Sequence, residues 1–154
     1  MTPETVTAAA QPMLYVSRTS SMEPADIART MSEAFGTMGA FIGKNGIAPV
    51  GPPVCIYQRW GQGTLDYDVG FPVAEAALAK ASGEVKAGKT PSGKALKFTH
   101  RGPYDTLRDT YTAINVHLRE KGLPWPSLTW EIYVGDPQKT PPKDLVTEIY
   151  MATG

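Results

Sequence analysis

The sequence predicts an α+β domain in which a strand-helix-strand-strand unit occurs twice, giving a largely antiparallel sheet with two helices packed on one side. Three observations carry that expectation. Period-two apolar runs alternate with two helical stripes, each stripe stops at a glycine before a pair of strands, and the second set repeats the first. A shift of 76 positions (133 − 57) pairs Met31 with Leu107, Phe35 with Tyr111, Met38 with Ile114, Ile42 with Leu118, Gly46 with Gly122, Val54 with Trp130, Ile56 with Ile132 and Tyr57 with Tyr133. In the last strands the shift becomes 80 (148 − 68), aligning Asp68-Val69 with Glu148-Ile149, and the longer loop Pro137 to Pro142 absorbs the extra residues. Such a duplication implies a pseudo-two-fold axis and a groove where the halves meet.

Residues 1–12 are rich in Thr, Ala and Pro and are expected to be a flexible tail or the edge of the first strand. The remaining 13–154 are expected to form one domain, with halves of about 13–82 and 83–154. Met13 to Thr19 alternates as a strand. Pro24 suits a first helical position, and Ile27, Met31, Phe35, Met38 and Ile42 recur at helical spacing. Gly36, Gly39 and Gly43 each cost about 1 kcal/mol relative to Ala inside that helix, which points to a frayed or kinked C-terminal half, ordinary helix packing, or close approach of a ligand. Val54 to Trp60 and Thr64 to Phe71 are strands joined by a turn at Gly61-Gln62-Gly63.

Pro72 to Gly93 is the least determined stretch: a short helix or strand edge over Val73 to Ala81, then a surface loop from Gly83 to Gly93. Ala95 to His100 resumes β-structure. Arg101-Gly102-Pro103 leads into a second helix whose buried face is Tyr104, Leu107, Tyr111, Ile114 and Leu118, ended by Lys121-Gly122. Ser127 to Pro137 holds a strand, a Pro-rich loop follows, and Leu145 to Met151 is the last strand.

Composition removes several functions. Among 154 residues, 15 basic and 15 acidic side chains cancel, so no overall field draws the chain to nucleic acid or an anionic membrane. No apolar run approaches the roughly 20 residues of a membrane span. Cys55 is single, and Met1 to Gln11 lacks the basic start and apolar run of a secretory signal, so a cytoplasmic setting is expected. His100 and His117 are far apart and Gly61-x-Gly63 is too short for a phosphate loop, so no metal or other cofactor is expected. Trp125, between Pro124 and Pro126, reads as a loop anchor or, if exposed, as the mark of a protein-binding surface.

The chemistry concentrates around Glu131. Alternation puts Leu128, Trp130, Ile132 and Val134 on a core face and Thr129, Glu131 and Tyr133 on the other, which lines a groove or solvent. Matching the repeats places Cys55, Tyr57 and Arg59 on Glu131's face, while Asp66, Asp68 and Gly70 share a face with Val146, Glu148 and Tyr150. A cation over Tyr57 or Tyr133 would gain roughly 0.5 to 2 kcal/mol, with further attraction from an ionised Glu131. The bland alternatives stand beside this: Glu131 capping a backbone group or pairing with Arg59, Tyr104, Tyr111 and Phe35 as core, and Asp66 and Asp68 as solvated edge charges.

The run His100-Arg101-Gly102-Pro103-Tyr104-Asp105, then Tyr111, Gly122, Glu131-x-Tyr133-x-x-Asp136-Pro137, Thr147-Glu148-Ile149 and the first-half segment Leu65 to Val73 resemble the gyrase-inhibitor-like small-molecule-binding family, which is also the effector-binding domain of multidrug-responsive bacterial transcription activators. The likeness spans roughly Met13 to Ala152, departing at Met151-Ala152 where the family tends to carry proline. No helix-turn-helix accompanies it, so a free-standing module is expected.

The resemblance implies that Glu131 meets the charge of a hydrophobic, cationic small molecule. The expected ligand-binding set is Cys55, Tyr57, Arg59, Asp68, Tyr104, Tyr111, Trp130, Glu131, Tyr133 and Glu148. Two alternatives also follow from the resemblance: hydrolysis of cyclopropane-containing toxins, with Glu131 as general acid or base and Tyr133 or Tyr104 orienting water, and inhibition of a gyrase-like protein partner. A homodimer is a further open arrangement.

Overall fold

The computed structural model describes residues 2–60, 63–136 and 139–153, the side chains of Arg59 and Trp60 excepted. The strands are β1 (Glu4–Ala8), β2 (Pro12–Ser21), β3 (Val54–Trp60), β4 (Thr64–Pro72), β5 (Lys86–Lys89), β6 (Gly93–Arg101), β7 (Thr129–Val134) and β8 (Val146–Ala152), and the helices are α1 (Pro24–Lys44) and α2 (Leu107–Glu120). All eight strands join one antiparallel sheet in the order β1-β6-β8-β7-β3-β4-β2-β5. The Gly61-Gln62 part of the expected hairpin turn and the Pro137-Gln138 part of the expected loop lie outside the described residues.

The order divides into equivalent sets, β6-β8-β7 and β3-β4-β2, meeting where β3 pairs with β7. There Val54 faces Ile132, Cys55 faces Glu131 and Ile56 faces Trp130. Moving each residue to its counterpart 76 positions away turns the first of these pairs into the third and returns Cys55–Glu131 to itself. The pseudo-two-fold axis therefore passes through the Cys55–Glu131 pair.

Two expectations are corrected at the sheet edges. Glu4–Ala8, expected within a flexible tail, forms β1 against β6, with Val6 opposite Ala95. Lys86–Lys89, expected in a surface loop, forms β5 against β2, with Gly88 opposite Met13. Neither segment carries an apolar run, because β1 turns only Val6 and Ala8 inward and β5 no large side chain; what orders them is the row of backbone donors and acceptors on the edge they cover. The exchange is reciprocal: β1 precedes β2 yet pairs with β6, and β5 precedes β6 yet pairs with β2. Between β4 and β5, Glu75–Lys80 forms a 3-10 helix where a short helix or strand edge was expected.

The helix α1 runs unbroken through Gly36, Gly39 and Gly43, none of which has another part of the chain within 4 Å of where a Cβ would stand, so the kink or fraying suggested by these glycines does not occur. Its most buried positions are Thr30, Ala34 and Met38, over a cluster that includes Leu14, Val16, Leu65, Tyr67 and Val69. Met31, Phe35 and Ile42 of the expected stripe are only partly buried. On α2, Thr110, Ile114 and Leu118 are buried, the last two packing with Phe98, Ile149 and Met151. Tyr104 lies before this helix, in the 3-10 turn Tyr104–Thr106, instead of on its stripe. No helix among the described residues is long and apolar enough to cross a membrane.

Both faces of the central strands are buried, which corrects the division into one core face and one groove or solvent face. Cys55, Tyr57 and Tyr133 share a cluster with Ala34 and Met38 of α1, so Glu131's side is the one that the helices cover. Trp130, Val54, Ile56, Met13 and Ala95 form a separate cluster on the opposite side, where Trp130 stacks on Tyr150 at 5.2 Å with the ring planes 4° apart. Alternation distinguishes the two faces of a strand but does not say which one a helix will cover.

Candidate functional site

The helices part over the pseudo-axis. Helix α1 packs on β2 and β4 and α2 on β6, leaving the central strands β3 and β7 beneath the space between them. The side chains that fill this space come from both helices and both strands. Glu131, 2% exposed, lies at its floor.

Its carboxylate sits in a cage of phenols. Tyr133 donates to Oε1 at 2.5 Å, Tyr57 donates to Oε1 at 3.2 Å, and Tyr111 of α2 donates to Oε2 in a short hydrogen bond. Phe35 of α1 meets the Tyr133 ring edge-on at 5.8 Å, and Tyr104 does so at 5.7 Å. Trp125 lies 6.3 Å from Tyr111, and Met31 Sδ is 3.9 Å from the Tyr133 hydroxyl. Tyr104 and Trp125 are each 38% exposed and form the outer rim. On the same face, the buried hydroxyls of Thr129 and Thr147 have no hydrogen-bond partner among the described residues.

Burial pushes the Glu131 carboxyl above its ordinary value, and the hydroxyls of Tyr111, Tyr133 and Tyr57, followed by His100, pull it back in part. Burial, reinforced by the Glu131 charge, holds the Tyr111 and Tyr133 phenols well above the usual range; for Tyr57 burial acts first, then Cys55 and Glu131. All three are therefore hydrogen-bond donors at neutral pH. Cys55, fully buried and directly opposite Glu131, has its thiol pushed well up, first by burial and then by that carboxylate, so it is not a ready nucleophile.

Of the expected ligand-binding residues, the structure brings together Cys55, Tyr57, Tyr104, Tyr111, Glu131 and Tyr133. It places Asp68, Trp130 and Glu148 on the opposite face of the sheet, away from that cage. Asp68 is buried, contrary to a solvated edge charge: it accepts from Ser17 at 2.6 Å and Gln58 at 2.7 Å, beside a cleft of about 260 Å³. Burial raises its carboxyl, while Ser17, Lys86 and Gln58 oppose the shift. Glu148 pairs with Lys97 at 3.1 Å and accepts from Tyr150 at 3.1 Å. Both follow from strand parity, since residues at even and odd positions of one strand point to opposite faces. The side chain of Arg59 lies outside the described residues.

Sequence reasoning missed Trp125 as part of this site and assigned Met31 and Phe35 to the buried stripe of the first helix. A signal for Phe35 was available, because the repeat pairs it with Tyr111. Among the described residues, no group of three or more His, Cys, Asp and Glu side chains is placed to hold a metal ion.

A helix-parted antiparallel sheet with a caged carboxylate and aromatic walls defines a small-molecule-binding architecture. The chain belongs to the GyrI-like small molecule binding domain family, whose model matches residues 1–153. No curated protein sequence matches it. Among solved structures, it is similar to EcmrR in a complex with DNA (18% identity, TM-score 0.76), covering 97% of this chain; it spans 56% of the EcmrR chain. It is also similar to SAV2435 bound to tetraphenylphosphonium (12% identity, TM-score 0.70, covering 98% of this chain and 93% of that one). A third likeness is to a hydrolase encoded by lin2189 from Listeria innocua (16% identity, TM-score 0.56, covering 97% and 90%). At these identities the structural likenesses establish the fold alone.

Proposed function

We propose that this domain binds hydrophobic cations in the space between α1 and α2, with Glu131 as the counter-charge. The observation that carries the reading is a carboxylate 2% exposed, held by three tyrosine donors and by no Lys or Arg among the described residues. Phenol donors offset only part of the cost of burying this charge, and an incoming cation removes more of it. Aromatic faces add cation–π attraction of roughly 0.5 to 2 kcal/mol, and the Coulomb term grows as water leaves. Family membership and the cation held by SAV2435 support the same reading.

A cation beside Glu131 favours its ionised form, and burial has raised that carboxyl. Binding is therefore accompanied by release of a proton over the pH range in which the apo carboxyl is still partly protonated. Hydrolysis would use the same carboxylate, but the groups around it are phenols held protonated. Held protonated, they donate hydrogen bonds but cannot take a proton from water, so the cage favours holding a ligand over activating water.

Thermal unfolding in the presence of tetraphenylphosphonium and of the neutral triphenylphosphine oxide tests charge selection. The cation is expected to raise the midpoint in a concentration-dependent way, and the neutral compound to have little effect. Equal shifts from both would remove the role given to the carboxylate.

A further inference from the structure

His100 lies outside the tyrosine cage yet is buried, 5% exposed, on the helix-facing side of β6. Its Nδ1 is 2.6 Å from Thr110 Oγ1 in the first turn of α2. Its Nε2 is 3.1 Å from the Pro103 carbonyl oxygen and 3.1 Å from Thr106 Oγ1. A carbonyl only accepts, so Nε2 carries the hydrogen and donates to Pro103, while Nδ1 and the Thr110 hydroxyl share the second hydrogen bond. The Thr106 hydroxyl donates to the same carbonyl at 2.9 Å.

The backbone thus gripped is the turn that carries Tyr104. On its other side the Gly102 amide donates to the Leu145 carbonyl at 2.8 Å, with Gly102 at φ 123°, a conformation that L side chains rarely adopt. Tyr104 opens a three-residue 3-10 turn that leads directly into α2, outside any sheet register and ahead of the helix itself. Its ring nevertheless stands edge-on against Tyr133 at 75°. The first half has no equivalent device. Ser17 opposite Asp68 matches Thr99 opposite Glu148, so Arg18 stands where His100 stands in the second half, and it pairs outward with Glu84.

Building on the binding reading above, we propose that His100 is a positioning residue: its Nε2 clamp on the Pro103 carbonyl sets the Gly102–Thr106 turn and so holds Tyr104 as the rim of the ligand site over Tyr133. The clamp acts on the ligand through Tyr104, and His100 itself touches none of it.

Two substitutions separate the nitrogens. His100→Gln keeps a donor near the Nε2 position, whereas His100→Asn keeps a polar group only near Nδ1. For tetraphenylphosphonium, His100→Asn is expected to weaken binding about tenfold and His100→Gln by no more than about twofold, the scale of one buried hydrogen bond. In a Tyr104→Ala background His100→Asn should cost nothing further, because the effect runs through that ring. A full tenfold loss in that background, or wild-type binding by His100→Asn, overturns the clamp.

If His100→Asn fails to fold, Thr106→Val removes the second donor to Pro103. It should weaken binding about threefold, again only when Tyr104 is present; the same threefold loss without Tyr104, or none with it, overturns the proposal. The ligand-free protein gives an independent readout through the ring-current shifts of labelled Tyr104, expected to persist in His100→Gln and to vanish in His100→Asn. Shifts unchanged in both refute the clamp even if the cation binds. Shifts that change as expected while wild-type protein ignores the cation refute the binding reading and leave the clamp standing.

Discussion

The two halves of the sheet are built alike and finished differently at the axis they share. Tyr57 and Tyr133 are counterparts, and both hydroxyls reach the same carboxylate oxygen. Around them the pairs diverge: Cys55 against Glu131, Phe35 against Tyr111, Tyr67 against Thr147, Arg18 against His100. One half supplies the charge, a third hydroxyl donor and an anchored rim; the other supplies apolar wall. Duplication produces the axis, and departure from duplication gives the side chains gathered over it a polarity. Because Cys55 and Glu131 form the self-paired position, the charge sits on the axis and is served by residues of both halves.

The strongest way to break the comparison is to make the axis symmetric. Cys55→Glu would set two carboxylates opposite each other in a space with no basic side chain among the described residues, and is expected to cost about 3 kcal/mol or more, read from the urea midpoint. An unchanged midpoint would show that the pair does not meet as described. A second difference lies on the outer face, where Gly70 stands in the place that Tyr150 occupies in the other half. A Cβ at Gly70 would lie 2.2 Å from the Leu14 carbonyl oxygen and 2.7 Å from Tyr15 Cβ, whereas Tyr150 has room to stack on Trp130. Gly70→Ala should therefore lose about 2 kcal/mol or more in the same assay.

The smallest of these effects concerns the charge itself. Glu131 has a raised carboxyl, so the folded state holds a proton that the unfolded chain releases near the ordinary value of 4.5. Stability from this group is present below that value and is lost as pH rises through the higher folded value. Glu131→Gln is accordingly expected to stabilise the ligand-free protein by about 1 kcal/mol at neutral pH. The gain should disappear in acid, where the native carboxyl is neutral too. Denaturant midpoints of both proteins across that pH range decide it, and a variant less stable at neutral pH would mean that the tyrosine donors outweigh burial.

Much of this was legible in the sequence, and the failures have physical causes. The glycine stops, the helical stripes and the 76-residue shift gave the two helices, six of the strands and the alignment of Tyr57 with Tyr133. The edge strands β1 and β5 escaped because they are ordered by the backbone of their neighbours and carry almost no apolar pattern of their own. Alternation grouped Glu131 with Cys55 and Tyr57 correctly but could not say that the helices cover that side, since Trp130, Ile56 and Val54 look equally like core. Asp68, Trp130 and Glu148 were drawn into the expected site although parity turns them to the opposite face of the sheet. Trp125 reaches the cage through the loop before β7, which has no local pattern to read, and Met31, read as part of a buried stripe, does so through the packing angle of α1.

The central claim is that one caged carboxylate selects the ligand by charge. Calorimetric titration of tetraphenylphosphonium into the wild-type protein and into Glu131→Gln, with Cys55→Ser as the control from the other side of the axis, tests it most directly. The account predicts that Glu131→Gln weakens binding by about 100-fold and abolishes proton release, while Cys55→Ser binds within a few-fold of wild type. Equal affinity in wild type and Glu131→Gln would contradict it.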